Sequence, residues 1–490
     1  MASSKRAASI PIAILALLSV CTATCWGQTA ESYQSSFGSA KGRISSATAN
    51  NTFPPGAPSR RRELTAAALQ IEHPPEPIAP GTPQCPLSLA NLEAIALGNN
   101  PTLAQAAAQV RASRGAALEA GLYPNPIIGY EAEQIGAAGT PGEIQGGFVQ
   151  QTIVTAGKLR LSRAKYSQEA YEAQILAMGQ HLVVLNGVRM RFYEVLADQR
   201  MVELRHELLS NAEENLRTTR EMFNTGLANE ADVLLAEVEV NRAQIELADE
   251  ENSLVAAWQH LASVIGMPEL QLAPLAGQLE PDGSVLEWEQ SLATLLRESP
   301  ELQAARAHVV HDQITVQRER VQPVPDIRVQ ASTGYNFETQ NAVAGQVQIG
   351  LNVPLWDRNQ GTIMQARADL SRSQAEVRRL ELSLQQRLAD QFRRYRTAQL
   401  ATKLYREANI PKASRAYEIQ LDMYKKRRVA WPEVVELQRN LFRVKSDYTR
   451  SLLDLRNTEV AITGLLMVDG LNAAASPRPG GHINATPRPR

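Results

Sequence analysis

Cysteine is scarce in this chain: there are three among 490 residues, Cys21, Cys25 and Cys85. The first two close an N-terminal stretch with Lys5 and Arg6, an apolar run from Ile10 to Val20 and small residues up to Gly27. That layout predicts a secretory signal peptide over residues 1–27. Cleavage after Gly27 leaves Cys85 alone, which excludes a disulfide framework and a cysteine metal cluster. A lipoprotein alternative, with Cys21 or Cys25 acylated, fits poorly because Val20 and Thr24 precede them. Downstream, no apolar run approaches the roughly 18 residues of a helical membrane span. An exported product is then either soluble or a barrel. Charge of one sign is also missing: the net charge is −1, so nothing suggests a nucleic-acid partner. Catalytic constellations are lacking too. There is no phosphate loop, no His-Glu-x-x-His and no cysteine metal spacing, so neither an enzyme nor a cofactor is expected. Gly157-Lys158 follows a strand but lacks the earlier glycine and the following Ser or Thr of a phosphate loop. His308 and His311, three apart, are the best metal-ligating pair; we read them as exposed histidines on a helix face, and no metal site is expected.

Proline is absent from Pro141 to Pro268, and aromatic residues are only 5% of the chain. What is present is Ala, Leu, Glu, Gln and Arg, a composition for long helices. Residues 28–85 are rich in Ser, Ala, Pro and Gly, carry Arg60, Arg61 and Arg62, and read as a flexible arm. Leu89, Leu92, Ile95 and Ala96 form a short amphipathic helix, and a second follows Pro101 to about Gly121. From Gly157 to Phe223 no loop signal interrupts the pattern, which predicts a helix of about 67 residues and roughly 100 Å. Leu182, Leu185, Val188, Phe192 and Val195 follow its apolar spacing. Ala164, Ala170, Ala173 and Ala177 admit a close neighbour, and such a rod needs coiled-coil partners. Asn224-Thr225-Gly226 turns the chain into a return helix with Val233, Leu234, Val238, Ile245 and Leu247, ended by Gly266-Met267-Pro268.

Period-2 alternation marks the strands. Ile327, Val329, Ala331, Thr333, Tyr335 and Phe337 form one apolar face, and Val343, Gly345, Val347, Ile349, Leu351 and Val353 another, with Gln- and Asn-rich residues between them. Each run of about 11 residues, tilted, covers about 25 Å, the height of an outer-membrane barrel's apolar band. Weaker candidates are Ile127 to Ile135 and Ile144 to Val154. Pro101, Pro124 and Pro126 recur as Pro300, Pro323 and Pro325, each 199 residues later. Constant register argues for duplication. In the second half a long helix starts near Asn359, with Val377, Leu380, Leu384, Leu388, Phe392 and Tyr395 on one face. It should kink or break at Pro411. A return helix opens near Pro432 and runs to about Leu466.

The predicted organisation is a first repeat over 87–268, a connector over 269–285, a second repeat over 286–470 and a disordered tail over 471–490. The fold class is mainly α with a small β part. Four strands are too few to close a barrel and membrane strands cannot keep open edges, so the barrel must be shared between subunits.

Over residues 87–470 the chain resembles the TolC-type outer-membrane efflux channels. The stretches that carry the likeness are Ala94-Ile-Ala-Leu-Gly-Asn-Asn-Pro101, Ala120-Gly-Leu-Tyr-Pro-Asn-Pro126, Gln151-Thr-Ile-Val-Thr-Ala-Gly-Lys158 and Pro354-Leu-Trp-Asp-Arg-Asn-Gln-Gly361. The last two are similar to the branch serving heavy-metal exporters of the resistance-nodulation-division type. The resemblance implies a homotrimer with a 12-stranded barrel in outer-membrane lipid and a helical tunnel reaching into the periplasm. Its partners would be a periplasmic adaptor and an inner-membrane pump, and it would be a passive exit duct for the heavy-metal cations that they deliver. The rival reading is a soluble periplasmic coiled-coil scaffold or adaptor.

Site residues follow residue by residue. The family's aromatic–x–x–Gly tip turn stands here as Phe223 to Gly226. Its second copy reads Tyr424-Lys425-Lys426-Arg427, with Arg427 where glycine is usual. These turns, with Arg428, are the expected adaptor contacts. The family's Leu-Asp-Ala-Gln-Arg constriction appears as Val435-Glu436-Leu437-Gln438-Arg439. Glu436 and Arg439 share one helix face, and pairing within a chain or between neighbours would shut the periplasmic mouth. The alternative is a solvated helix face.

Overall fold

The computed structural model describes residues 86–477, apart from 134, 136–143, 227, 282–284, 338–341 and 427. The signal segment 1–27, the arm 28–85, Arg427 and the tail beyond 477 lie outside the described residues.

The first repeat comprises β1 (Leu87–Ser88), α1 (Leu89–Asn99), α2 (Pro101–Glu119), β2 (Ile127–Ala132), β3 (Ile144–Ile153), α3 (Lys158–Asn224) and α4 (Glu230–Ile265). The connector carries β4 (Leu275–Ala276), and the second repeat follows the same helix and strand order: α5 (Trp288–Glu298), α6 (Pro300–Val321), β5 (Ile327–Asn336), β6 (Ala342–Leu351), α7 (Gln360–Leu404), a π-helical turn (Tyr405–Asn409), α8 (Ile410–Lys425) and α9 (Trp431–Thr463). β1 and β4 pair in parallel, tying the start of the first repeat to the connector.

Local chemistry sets the boundaries. Asn100 caps α2 by accepting from the Thr102 amide at 2.9 Å, with Pro101 in the first turn where its missing N–H is harmless. Asn229 and Asp232 form a reciprocal capping box on α4, and Gly266, at φ 83°, ends it in the left-handed region. The two long rods start alike, from Gly157 at φ 66° and Asn359 at φ 60°, residue types that tolerate that conformation. α3 is 67 residues long, as expected. The break expected at Pro411 is milder than a stop. The rod continues through the π-helical turn, and Pro411 then sits in the first turn of α8. A widened turn absorbs the lost donor and the ring's clash with the preceding carbonyl.

Each repeat has its own core. In the first, Leu92 and Ala96 of α1 pack among Val184, Val188, Phe192, Trp258, Leu261 and Ile265. In the second, Leu295 of α5 and Leu302 of α6 pack among Leu384, Leu388, Phe392, Tyr395, Leu455 and Ile462. The expected stripe on α4 is corrected in part. Leu247 is buried, but Leu234, Val238 and Ile245 are exposed, while Ala236, Val240 and Ala243 turn inward. Small residues let α4 approach α3, which leaves the larger ones outside. His308 and His311 are also not exposed as expected: they are 8% and 2% accessible, because α6 is packed against both α3 and α7. Among the described residues no helix is long and apolar enough to cross a membrane.

The four longer strands form one antiparallel sheet in the order β2-β3-β5-β6. Register follows the alternation: Ile327, Val329, Ala331 and Tyr335 lie opposite Leu351, Ile349, Val347 and Val343, and Gln330 lies opposite Gln348. The two faces of the hairpin are therefore chemically distinct. β2 ends at Ala132, short of the Ile135 expected, and the described residues supply no partner for the outer edges of β2 and β6.

Candidate functional site at the helix tips and the sheet

The turns that end the two rods meet. Tyr424 donates its hydroxyl to Met222 Sδ at 2.8 Å and its ring packs against Trp431 with centroids 4.7 Å apart and planes tilted by 56°. Burial, with the Asp232 charge adding, pushes the Tyr424 phenol above its usual range. Phe223 remains exposed beside it, and Gly226 takes φ 73°, which supplies the tight turn. Lys426 is exposed and pairs with Asp422 at 2.6 Å, and Arg428 is exposed as well. Phe223, Gly226, Tyr424, Lys426 and Arg428 thus gather at one end of the bundle, on the same turn segments as Lys425.

Above the tips lies a cleft that holds Glu239, Arg242, Glu436 and Arg439. Within the chain Glu436 and Arg439 do not pair, which corrects one of the two pairings expected. Arg439 reaches Glu239 of α4 instead: its Nε donates at 3.0 Å and a second guanidinium nitrogen contacts the other carboxylate oxygen. A two-pronged bond to a facing carboxylate outcompetes a single contact three residues away on the same helix. Glu436 stays exposed in the cleft.

Where sheet meets helices, Lys158 is 2% accessible. Its ammonium donates to Asp326 Oδ1 at 3.0 Å and to the Val324 carbonyl at 2.5 Å, while Thr155 N–H donates to Asp326 at 2.9 Å. This lysine, which resembled a fragment of a phosphate loop, locks the first repeat's strand-to-helix joint onto the second repeat's Pro-x-Pro segment.

On α6, His308 and His311 face carboxylates. His308 Nδ1 lies 3.1 Å from Glu172, and His311 Nδ1 lies 3.0 Å from Asp312. Burial alone would raise the Asp312 carboxyl, but hydrogen bonds from His311 and Ser373 and the nearby His308 outweigh it and hold it below its ordinary value. Glu169 goes the other way, raised by burial with Glu172 adding to it, against the pull of His311, Lys165 and His308. Reading the sequence missed Glu239, Asp326, Glu172 and Asp312. The sequence held a signal for one of them, since Asp312 stands four residues after His308 and so shares its helix face.

On the sheet, Val347, Ile349, Val343, Ile128 and Tyr130 are exposed on the apolar side. On the opposite side Gln330 donates to Glu131 at 3.0 Å.

Residues 93–267 and 292–466 each match the family described as Outer membrane efflux protein. The two matches begin 199 residues apart, the same offset as the prolines. The chain is 24% identical over 379 residues to the cobalt-zinc-cadmium resistance protein CzcC of Cupriavidus metallidurans, covering 76% of this chain and 88% of that protein. Among solved structures it is similar to the outer-membrane channel OprN, with a TM-score of 0.66 at 16% identity over 78% of this chain and 90% of that one. It is also similar to CusC, whose structures describe transmembrane channel formation, with a TM-score of 0.63 at 15% identity over 77% and 91% of the two chains.

Proposed function

Because the chain belongs to the outer membrane efflux protein family, we propose that three copies build one conduit, each giving four strands to a 12-stranded barrel and its rods to a tunnel below. The observation that carries this is the four-stranded sheet, whose two edges find no partner among the described residues and which is apolar on an exposed face. Joining β6 of one copy to β2 of the next satisfies every edge, which a span in lipid requires. Leu234, Val238 and Ile245, exposed on α4, are then covered by the adjoining copy. A soluble scaffold leaves both apolar surfaces in water, where contiguous exposed patches of that size are rare.

The mature chain starts after Gly27, the repeats run over 87–268 and 286–470, and residues 269–285 connect them. The conduit sits in the outer membrane, extends into the periplasm and is passive; an inner-membrane pump and a periplasmic adaptor deliver the cargo. Likeness to CzcC supports divalent heavy-metal cations as that cargo. Native mass spectrometry in detergent is expected to give a trimer, and deletion of the gene to sensitise cells to cobalt, zinc and cadmium. A monomer or dimer as the main species defeats the conduit; unchanged metal tolerance beside an intact trimer defeats only the cargo.

The tips are the adaptor's docking points, since they are exposed turns carried on rigid rods. Reversing the charges of Lys425, Lys426 and Arg428 is expected to weaken adaptor cross-linking without lowering the amount of trimer. Cross-linking at the wild-type level would remove the tips from that role.

A further inference from the structure

We propose that α6 carries a resident binding site for one divalent cation of the zinc type, ligated by His308, His311 and Asp312 and steered by Glu172 of α3. The three ligands stand at i, i+3 and i+4, so one turn of helix presents them on one face. All three are buried, and one ligand atom from each lies within 4.8 Å of the others. Tetrahedral zinc with bonds of 2.0–2.1 Å needs donor atoms about 3.4 Å apart. His308 Nε2 lies 3.9 Å from Asp312 Oδ2 and His311 Nδ1 lies 3.0 Å from Asp312 Oδ1, so a rotation of the carboxylate that brings one oxygen between the two nitrogens closes the set.

The orientation of His308 points the same way. Its Nδ1 lies 3.1 Å from Glu172 Oε2, the partner that a ligating imidazole characteristically has on its other nitrogen. That contact turns Nε2 toward Asp312. The two rings stack, with centroids 5.3 Å apart and planes 19° from parallel, so neither imidazole blocks the other. Two imidazoles and one carboxylate suit zinc and its neighbours better than calcium or magnesium, which prefer oxygen donors alone. Three protein ligands leave a fourth position for water. Because Glu172 stands on α3 and the ligands on α6, an ion here pins the two helices together inside a single chain. It is a structural occupant of the wall, independent of the cargo.

The test uses the full-length trimer in detergent, prepared without a polyhistidine tag, stripped with chelator and titrated with Co²⁺ and then Zn²⁺. One Co²⁺ per chain is expected, with the visible absorption of a four-coordinate site that Zn²⁺ abolishes, and zinc should raise the melting temperature. His311→Gln and Asp312→Asn should each remove the absorption, and Glu172→Gln should weaken binding about 10- to 100-fold in trimers that still elute as wild type. If wild-type trimer shows no such absorption, or if all three variants bind cobalt as wild type does, the site does not exist. The wild-type spectrum decides the matter even where a variant fails to assemble.

Discussion

Replacing Arg439 with alanine is expected to raise single-channel conductance in planar bilayers and to sensitise cells to large antibiotics. Glu239→Ala should do the same. Arg439 holds Glu239 through two contacts across the cleft that α4 and α9 form beside the tips. The guanidinium is 45% accessible and the carboxylate 28%, so solvent screens the pair and each copy contributes only about 0.2–1 kcal/mol. In a trimer three copies act on one opening. Their sum, about 0.6–3 kcal/mol, shifts a closed-to-open equilibrium roughly 3- to 150-fold. Glu436→Ala should have the smaller effect, since Arg439 is already engaged elsewhere within the chain. Gln348→Ala, far away on the sheet, should leave conductance unchanged. If Arg439→Ala and Glu239→Ala trimers both conduct as wild type, the pair is a solvated helix contact and the mouth closes at another place.

That prediction could not be written in full from the sequence, and the reason is physical. Periodicity reports which face of an element is covered, so α3 was legible from an unbroken pattern free of proline, and the duplicated sheet from alternation and from prolines in constant register. An ion pair between helices has no period. Arg439 had an acidic neighbour three residues away and another across the cleft, and only packing decides between them. α6 shows the same blindness more sharply. Its sequence, with Glu301, Arg306, His308, His311, Asp312, Arg318 and Glu319, reads as a wet helix. Yet five of those seven side chains are buried, because α3 and α7 cover it and bring their own polar partners, Glu172 to His308 and Ser162 to Arg318 at 3.2 Å. Burial satisfied by partners from other elements leaves no apolar stripe to read. Lys158 was silent in the same way: the sequence excluded a phosphate loop around it, but nothing in it named Asp326 as the partner of its ammonium.

The face assignment of the sheet supports the prediction with the widest separation between two variants. Val347 and Gln348 are adjacent near the middle of β6, so the strand's period of two sends their side chains to opposite faces. Val347 stands opposite Ala331 and Gln348 opposite Gln330, and Val347 is 70% accessible with no protein to cover it in a single chain. In a closed barrel that surface meets lipid hydrocarbon and the glutamines meet water. Arginine on the lipid side near the bilayer midplane costs about 2–4 kcal/mol, and the symmetry of a trimer imposes that penalty three times. Val347→Arg is therefore expected to deplete folded trimer from outer-membrane fractions almost completely. Gln348→Arg should assemble normally and change only the ion selectivity of the pore. The readout is the amount of trimer surviving a carbonate wash. Loss of trimer in Gln348→Arg with survival of Val347→Arg would mean that the two faces are reversed. Survival of both would mean that the sheet does not lie in lipid, and a barrel shared between copies would have to be abandoned.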